Sequence, residues 1–528
     1  MEPGEVLFSA ATDPGQVFAA LSDRYSVRIE PLPATRWTCL DTADWRLHDA
    51  GLSLRETRRG RGGTLLLSAG PATGKATSKD GGNAGTVTAP SPGRRWPQRV
   101  EGLPDSPVRE RIAPAVGIRA LLPLAEVEVH GLQLQVLDDE DKTRVRIEVD
   151  QLRLVGARPA ALPLRVLVAP LRGYERDGRR CADLLRDRLV PLAADTDATA
   201  AALAAAGHRP GQPAVAPVRL DPEAPAPESL AAVLRRWIDA IDLARPGVLA
   251  DVDTEFLHEL RTSVRATRSL LRLGAELMPD AAVTRFAGEF AWLGRLTAPL
   301  RDLDVALLEL DGFGVTDLTG LDELEPLRRH LRGQRRRALA AVRAGLESSR
   351  GRALSGDWRA TLDAAARRDL PAPSTRVAAA AQASTAYRRI VKAAAGITDH
   401  SHPDELHHLR GRCKRMRYLL DGYGSVYEPK AHREVLASLK ALQNCLGDIQ
   451  DVFVQRAQLA DLGTALSRRG GAGTAGTVLA IGALRDRALG RDAEARSTMA
   501  RKLARFCSPA TRALVAGLGA PADHAVAP

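Results

Sequence analysis

FLHELRTSVRATRSLLRLG (256–274) and ELHHLRGRCKRMRYLLDGY (405–423) lie 149 residues apart and align without a gap. At that one offset Leu257 matches Leu406, His258 matches His407, Leu260 matches Leu409 and Arg261 matches Arg410. Arg268 matches Arg417, Leu270 matches Leu419, Leu271 matches Leu420, and Arg265 stands opposite Lys414. Leu293 and Leu442, Asp302 and Asp451, and Val305 and Val454 coincide at the same shift. A single offset held over so long a stretch marks an internal repeat. It predicts two copies of one helical unit related by a pseudo-two-fold axis.

Helix geometry divides each copy into two stripes. At about 100° per residue, His258, Arg261, Arg265 and Arg268 fall within an arc of about 80°. Leu257, Leu260, Val264, Thr267, Leu270 and Leu271 occupy the adjoining arc. In the second copy His407, Arg410, Lys414 and Arg417 take the basic arc, and Leu406, Leu409, Cys413, Met416, Leu419 and Leu420 the apolar one. Like charges at i,i+3 and i,i+4 repel by a few tenths of a kcal/mol per pair. Stacking them in both copies points to an external anion that neutralises them; a solvated basic face paired with neighbouring carboxylates is the plainer alternative. Asp302 and Asp451, at matching positions, suit a structural role of orienting basic side chains.

Outward from the repeat, segments 228–245, 254–278, 281–298, 321–348, 375–396, 404–421, 430–446 and 475–506 have helical periodicity, which predicts an all-α domain over 228–510 with repeat units 228–374 and 375–510. Arg329, Arg332, Arg336 and Arg343 share a face of one of these segments, and Arg388, Arg389 and Lys392 precede the second copy. Both sets are candidates for additional basic surface or for ordinary solvent-facing charge. The Pro-rich run RPGQPAVAPVRLDPEAPAPE (209–228) predicts a linker, placed at 206–227. Residues 1–205 predict a mixed strand and helix domain, with strands in 127–137, 143–155 and 162–171 and a helix over 182–193. Residues 70–107, rich in Gly, Pro, Ser and Thr, predict a flexible insertion.

Charge follows the same division. Residues 1–227 hold 30 Lys+Arg against 29 Asp+Glu, and 228–528 hold 45 against 35, so nearly all of the net +11 belongs to the helical part. The basic residues are 67 Arg and 8 Lys; a guanidinium fork suits phosphate oxygens, and a GC-rich coding sequence gives the same bias. No apolar run reaches the ~18–20 residues that cross a bilayer, and the opening MEPGEVLFSAATD lacks a secretory pattern. The five cysteines are widely spaced, which predicts neither zinc site nor disulfide framework and fits a reducing cytoplasm. AGPATGKA (69–76) approximates a P-loop, but Ala76 stands where Mg²⁺ needs a hydroxyl and no helical pattern follows. His400, His402, His407 and His408 have no acidic or thiol partner at ligand spacing, so no metal and no cofactor are expected.

LHELRTSVRATRSLL and LHHLRGRCKRMRYLL, followed by LRDLDV (300–305) and LGDIQD (446–451), resemble the CHAD domain, the conserved-histidine α-helical domain. The resemblance implies two four-helix bundles about a pseudo-dyad, with a basic groove that binds inorganic polyphosphate through His258, Arg261, Arg265, Arg268, His407, Arg410, Lys414 and Arg417. Polyphosphate, or granules of it, is accordingly the expected partner. The N-terminal part is similar to a CYTH domain, the antiparallel β-barrel fold of the triphosphate tunnel enzymes, in CLDTADWRLHDAGLSLRETRRG (39–60), RERI (109–112), LLPLAEVEV (121–129) and RIEVDQLRL (146–154). Of that family's E-x-E-x-K motif, Glu5-Val6-Leu7-Phe8-Ser9 keeps one residue; its R-x-R survives as Arg55 with Thr57. LRVLVAPLRG (164–173) lacks the carboxylates that would hold a divalent cation. Polyphosphate binding with an inactive N-terminal domain is therefore the leading expectation. The alternatives are a tunnel-type triphosphatase or polyphosphatase and a nucleic-acid binder, the latter poorly served by 4% aromatic residues.

Overall fold

The computed structural model describes residues 4–60, 62–69, 86–93, 95–156, 159–193, 197–313, 325–367, 371–469 and 474–520. They form two units, Met1–Ala214 and Val215–Pro528. The P-loop-like stretch falls almost wholly outside the described residues.

The first unit is an antiparallel sheet with helices against it. Its strands are β1 (Gly4–Phe8), β2 (Val27–Pro31), β3 (Thr35–Asp41), β4 (Leu52–Arg59), β5 (Gly62–Ala69), β6 (Val87–Pro90), β7 (Gln98–Arg99), β8 (Ala120–Leu137), β9 (Thr143–Val155), β10 (Ala160–Ala161) and β11 (Leu164–Pro170). The main path runs β1-β11-β9-β8-β3-β4-β5-β6, with β2 and β7 on β8 and β10 on β9. Its helices are α1 (Pro14–Ser22), α2 (Arg46–Asp49), α3 (Pro107–Val116), α4 (Glu175–Arg188) and α5 (Ala198–Ala205).

Period-two alternation assigns the faces. Val6 and Phe8 of β1 join the cluster that α1 and α4 cover, with Leu21, Ile147 and Leu185. Leu7 between them joins the cluster on the other side, with Trp37, Cys39 and the α5 residues Ala198, Ala202 and Leu203. The stretch 70–107 is only partly the irregular insertion expected: residues 70–85 lie outside the described residues, whereas 87–90 pair with β5 and 98–99 with β8. Val87 and Ala89 sit in the core formed by Leu54, Leu65 and Leu67, and this apolar alternation outweighs the local turn composition.

The second unit is helical: α6 (Ala226–Ala250), α7 (Thr254–Leu273), α8 (Asp280–Phe313), α9 (Glu325–Glu347), α10 (Ser349–Ala366), α11 (Thr375–Ala394), α12 (Pro403–Gly422), α13 (Pro429–Arg469), α14 (Thr474–Phe506) and α15 (Pro509–Gly517). The starts of α6 to α9 and of α11 to α14 differ by 149 residues in every pair, as do the single 3₁₀ turns Ala275–Leu277 and Gly424–Val426. At that offset α10 maps onto 498–515, across the end of α14 and onto α15, so the last helix of each copy begins at a different point. Both went unpredicted, α10 because its SRGRALSGDW opening carries two glycines and α15 because nine residues give too few turns to show a period.

Hydrogen bonds locate the pseudo-dyad. Thr375 N–H donates to Ala224 O at 2.9 Å, and Ala226 N–H donates to Pro373 O at 3.1 Å. Moving each residue of one bond by 149 into the opposite copy gives those of the other, so each copy offers the same segment to its mate, as an isologous contact requires. The axis runs through the bridge between Pro225 and Ser374, themselves 149 apart. α6 meets α11 and α7 meets α12 across it. The apolar arcs read from the sequence are buried: Leu257, Leu260, Val264, Leu270 and Leu271 in α7, and Leu406, Leu409, Cys413, Met416, Leu419 and Leu420 in α12.

Candidate functional site

With their apolar arcs turned inward, α7 and α12 bring their basic arcs to the junction. There they enclose a cavity of about 350 Å³ lined by Arg265, Arg268, Ser269 and Arg272 of α7 and by His407, Arg410, Gly411, Lys414, Arg415 and Tyr418 of α12. No carboxylate belongs to that lining. Arg265 and Lys414 are equivalent positions, and each feels the other's charge, so the dyad passes between them. Burial, then Arg265 and Arg410, drive the Lys414 ammonium down to about 7. The Nε atoms of Arg265, Arg410 and Arg417 are buried with no hydrogen-bond acceptor among the described residues.

The eight residues of the two stripes do not all reach this groove. Arg265, Arg268, His407, Arg410 and Lys414 line it. Arg261 instead donates to Gly294 O and Thr297 Oγ1, both at 3.0 Å, and burial together with Arg265 lowers its pKa. His258 is half-buried and engaged within the protein. Arg417 pairs with Asp421 four residues on, at 3.4 Å. The repeat explains the asymmetry: Arg272 occupies the first copy's equivalent of Asp421, so Arg268 has Arg272 and Arg295 beside it, which lower its pKa after burial does.

Asp451 accepts from Arg410 at 3.2 Å. Its equivalent, Asp302, has Arg261 as its strongest electrostatic partner, while burial raises its pKa. Asp451 thus holds the arginine at the matching position of its repeat, whereas Asp302 acts on its own through the field alone.

The outer candidates stand apart from the cavity lining. Arg329, Arg332, Arg336, Arg388, Arg389 and Lys392 are exposed, and Arg343 donates to Leu249 O at 2.7 Å. Arg389 adds to the field that lowers the pKa of the groove residue Arg415, behind burial, Arg272 and Arg412. Sequence reasoning missed Arg272, Arg415, Ser269 and Tyr418. Arg272 continues the 261, 265, 268 spacing by one turn and could have been found; Arg415 has Ala266 as its equivalent and gave no repeat signal.

The family model of the CHAD domain matches residues 232–460, which contain both basic helices and the groove between them. Residues 232–460 are a CHAD domain. Among solved structures, the CHAD domain from the plant Ricinus communis is 24% identical, with a TM-score of 0.43 over 58% of this chain and 96% of its own. PptA from Streptomyces chartreusis is 19% identical, with a TM-score of 0.41 over 53% and 99%. A Hippeastrum adenylyl cyclase candidate described as having a dominant triphosphatase activity is 14% identical, with a TM-score of 0.25 over 36% and 88%. No curated protein matches the chain. With every TM-score below 0.5, the assignment rests on the family model and on the repeat itself.

Outside the CHAD domain, the N-terminal sheet holds a second group of charges. Arg165 donates to Asp150 from Nε at 3.0 Å and lies 3.8 Å from Glu5. The guanidinium groups of Arg55 and Arg165 stand 4.2 and 4.6 Å from the Trp37 ring. Glu5, the one acidic survivor of E-x-E-x-K, thus has an arginine partner, and Leu7 fills the next inward position with packed apolar side chain. A divalent cation needs several oxygen ligands. This donor set does not fit one. Among the described residues, no helix is long and apolar enough to cross a membrane.

Proposed function

We propose that the CHAD domain binds inorganic polyphosphate in the groove between α7 and α12. The observation that carries the reading is a cavity lined by five arginines, a lysine and a histidine, drawn from both repeats and without a carboxylate. Such a site is electrostatically strained when empty, and a chain of phosphates relieves the strain along its length. Buried guanidinium donors without acceptors add to the gain, because charge-assisted bonds to phosphate oxygens are about twice as strong as neutral ones. A single small anion would satisfy only part of the groove.

The site residues of this reading are Arg265, Arg268, His407, Arg410 and Lys414, with Arg272 and Arg415 added. His258, Arg261 and Arg417 support the groove from behind. The test is equilibrium binding of long-chain polyphosphate to the full chain, with duplex DNA of equal phosphate concentration as competitor at fixed salt. Polyphosphate should bind and resist displacement. Equal displacement by DNA would instead make this a general phosphate-backbone surface. In parallel, tripolyphosphate with Mg²⁺ or Mn²⁺ should give no turnover, since Leu7 and Ser9 stand where Glu and Lys are needed.

A further inference from the structure

Tyr418 is the one tyrosine in the groove lining and, with Ser269, one of its two hydroxyls. It belongs to the basic helix α12 one residue after Arg417, and its equivalent in α7 is Ser269, which also lines the groove. The two hydroxyls are not in the same state. Ser269 Oγ donates to Arg265 O at 2.7 Å, so its proton is engaged in its own helix. Tyr387 and Tyr427 each donate their hydroxyl to a backbone carbonyl, at 3.2 and 3.3 Å. The Tyr418 hydroxyl has no hydrogen-bond partner among the described residues, although the residue is 7% exposed.

The ring packs on α6, and the phenol oxygen lies in the field of the groove's charges. The ring stands edge-on to Trp237, with centroids 6.4 Å apart at 77°. Arg265, Arg417 and Arg410, from both sides of the junction, act electrostatically on the phenol oxygen. Burial outweighs them and raises its pKa, so the group keeps its proton at neutral pH and can donate. An unmade hydrogen bond at a nearly buried hydroxyl costs stability. Three arginines act on it, and the one carboxylate that does so, Asp421, already pairs with Arg417 at 3.4 Å, which leaves the hydroxyl free to bond an acceptor from outside.

We infer that Tyr418 is a ligand-binding residue of the groove, an uncharged donor whose hydroxyl bonds a non-bridging phosphate oxygen between the arginines of α7 and α12. This rests on the polyphosphate reading and adds to it a component of affinity that salt does not remove. Cationic contacts release counterions from the anion, so losing one changes the slope of log K against log salt. A neutral hydroxyl releases none. Its loss should displace the whole line and leave the slope alone.

The experiment measures Kd of the full chain for long-chain polyphosphate across a salt series, in the native protein and in Tyr418→Phe, Ser269→Ala and Arg265→Ala. Tyr418→Phe keeps the ring against Trp237 and removes a hydroxyl that bonds nothing in the protein, so thermal stability should not fall. Its affinity should drop by about tenfold at every salt concentration, the size expected of a hydrogen bond to a charged acceptor. Ser269→Ala should stay close to the native protein, and Arg265→Ala should flatten the slope. Native affinity retained in Tyr418→Phe overturns the inference, as does a changed slope, which would mean the hydroxyl acts through the arginines. Absence of binding by the native protein overturns the polyphosphate reading itself, and with it this inference.

Discussion

Lys414 and Arg265 are equivalent residues of the two repeats, and the pseudo-dyad sets them side by side. Lys414 also faces Arg410 and Arg417 of its own helix, with Asp451 of α13 as the one opposing charge named among its influences. A lysine pushed down to about 7 is half neutral near physiological pH, while its unfolded value is near 10.4. The unfolded chain therefore binds more protons between those values, and this group makes stability rise with pH across that window. Anion binding works the other way. Phosphate oxygens favour the ammonium, so above pH 7 the groove must take up a proton to bind. Through this group, affinity for polyphosphate should fall as pH rises from 7 to 9. Titration calorimetry in buffers of different ionisation enthalpy would show the uptake. Lys414→Arg, which stays charged, should remove it; pH-independent binding by the native protein would discount the coupling. The stripe carrying Lys414 was legible in the sequence because repeat and helical period agreed. That Arg261, on the stripe of α7, turns away to Gly294 and Thr297 was not, since those residues lie too far along the chain for spacing to reveal.

At the scale of elements, the clearest sequence signals were the helix starts, fixed by a repeat that carries its caps with it. Asp253 caps α7 and His402 caps α12 at equivalent positions. Helix ends were less legible. The expected ends at 298 and 446 precede Pro299 and Gly447, ordinary stop signals, yet α8 runs to Phe313 and α13 to Arg469. Gly447 is there for packing: a Cβ on it would lie 3.2 Å from an Arg410 guanidinium nitrogen, which glycine lets approach. The Pro-rich run before α6 illustrates the same limit. Composition suggests a spacer, but Leu220 N–H donates to Ser425 Oγ at 3.1 Å, Arg236 Nε to Ala216 O at 3.3 Å, and Arg376 pairs with Glu223 at 3.1 Å. Residues 216–226 thus strap the two copies together at the dyad. A fragment starting at Val215 should melt several degrees above one starting at Glu228, because the shorter form leaves the backbone groups of Pro373 and Thr375 unpaired. Equal melting temperatures by circular dichroism would show that the strap contributes nothing.

At the scale of the whole helical unit, the proposed polyphosphate site consists of two half-sites on one axis, and that arrangement can be tested against a single-repeat site. A long anion lying across the dyad engages Arg265 and Arg268 from α7 and Arg410 and Lys414 from α12. Once one half is bound, the other is met at high effective concentration. Arg265→Ala with Arg268→Ala should therefore weaken binding and flatten the salt dependence, by on the order of 0.7 in slope per cation lost if the chain behaves like a single-stranded backbone. Arg410→Ala with Lys414→Ala should do nearly the same, with a smaller change in slope, because Lys414 is only partly charged and Arg410 already shares Asp451. Folding should survive in both, since all four side chains lie off the buried apolar arcs of their helices. Short anions give the complementary readout. Pyrophosphate covers fewer of the groove's cations than a long chain does, so either double substitution should change its weak binding and its salt slope less. Kd for long chains and for pyrophosphate, measured on the same variants across salt, separates the cases. Should one double substitution abolish long-chain binding and the other leave it unchanged, the anion lies along one helix and the dyad serves folding alone.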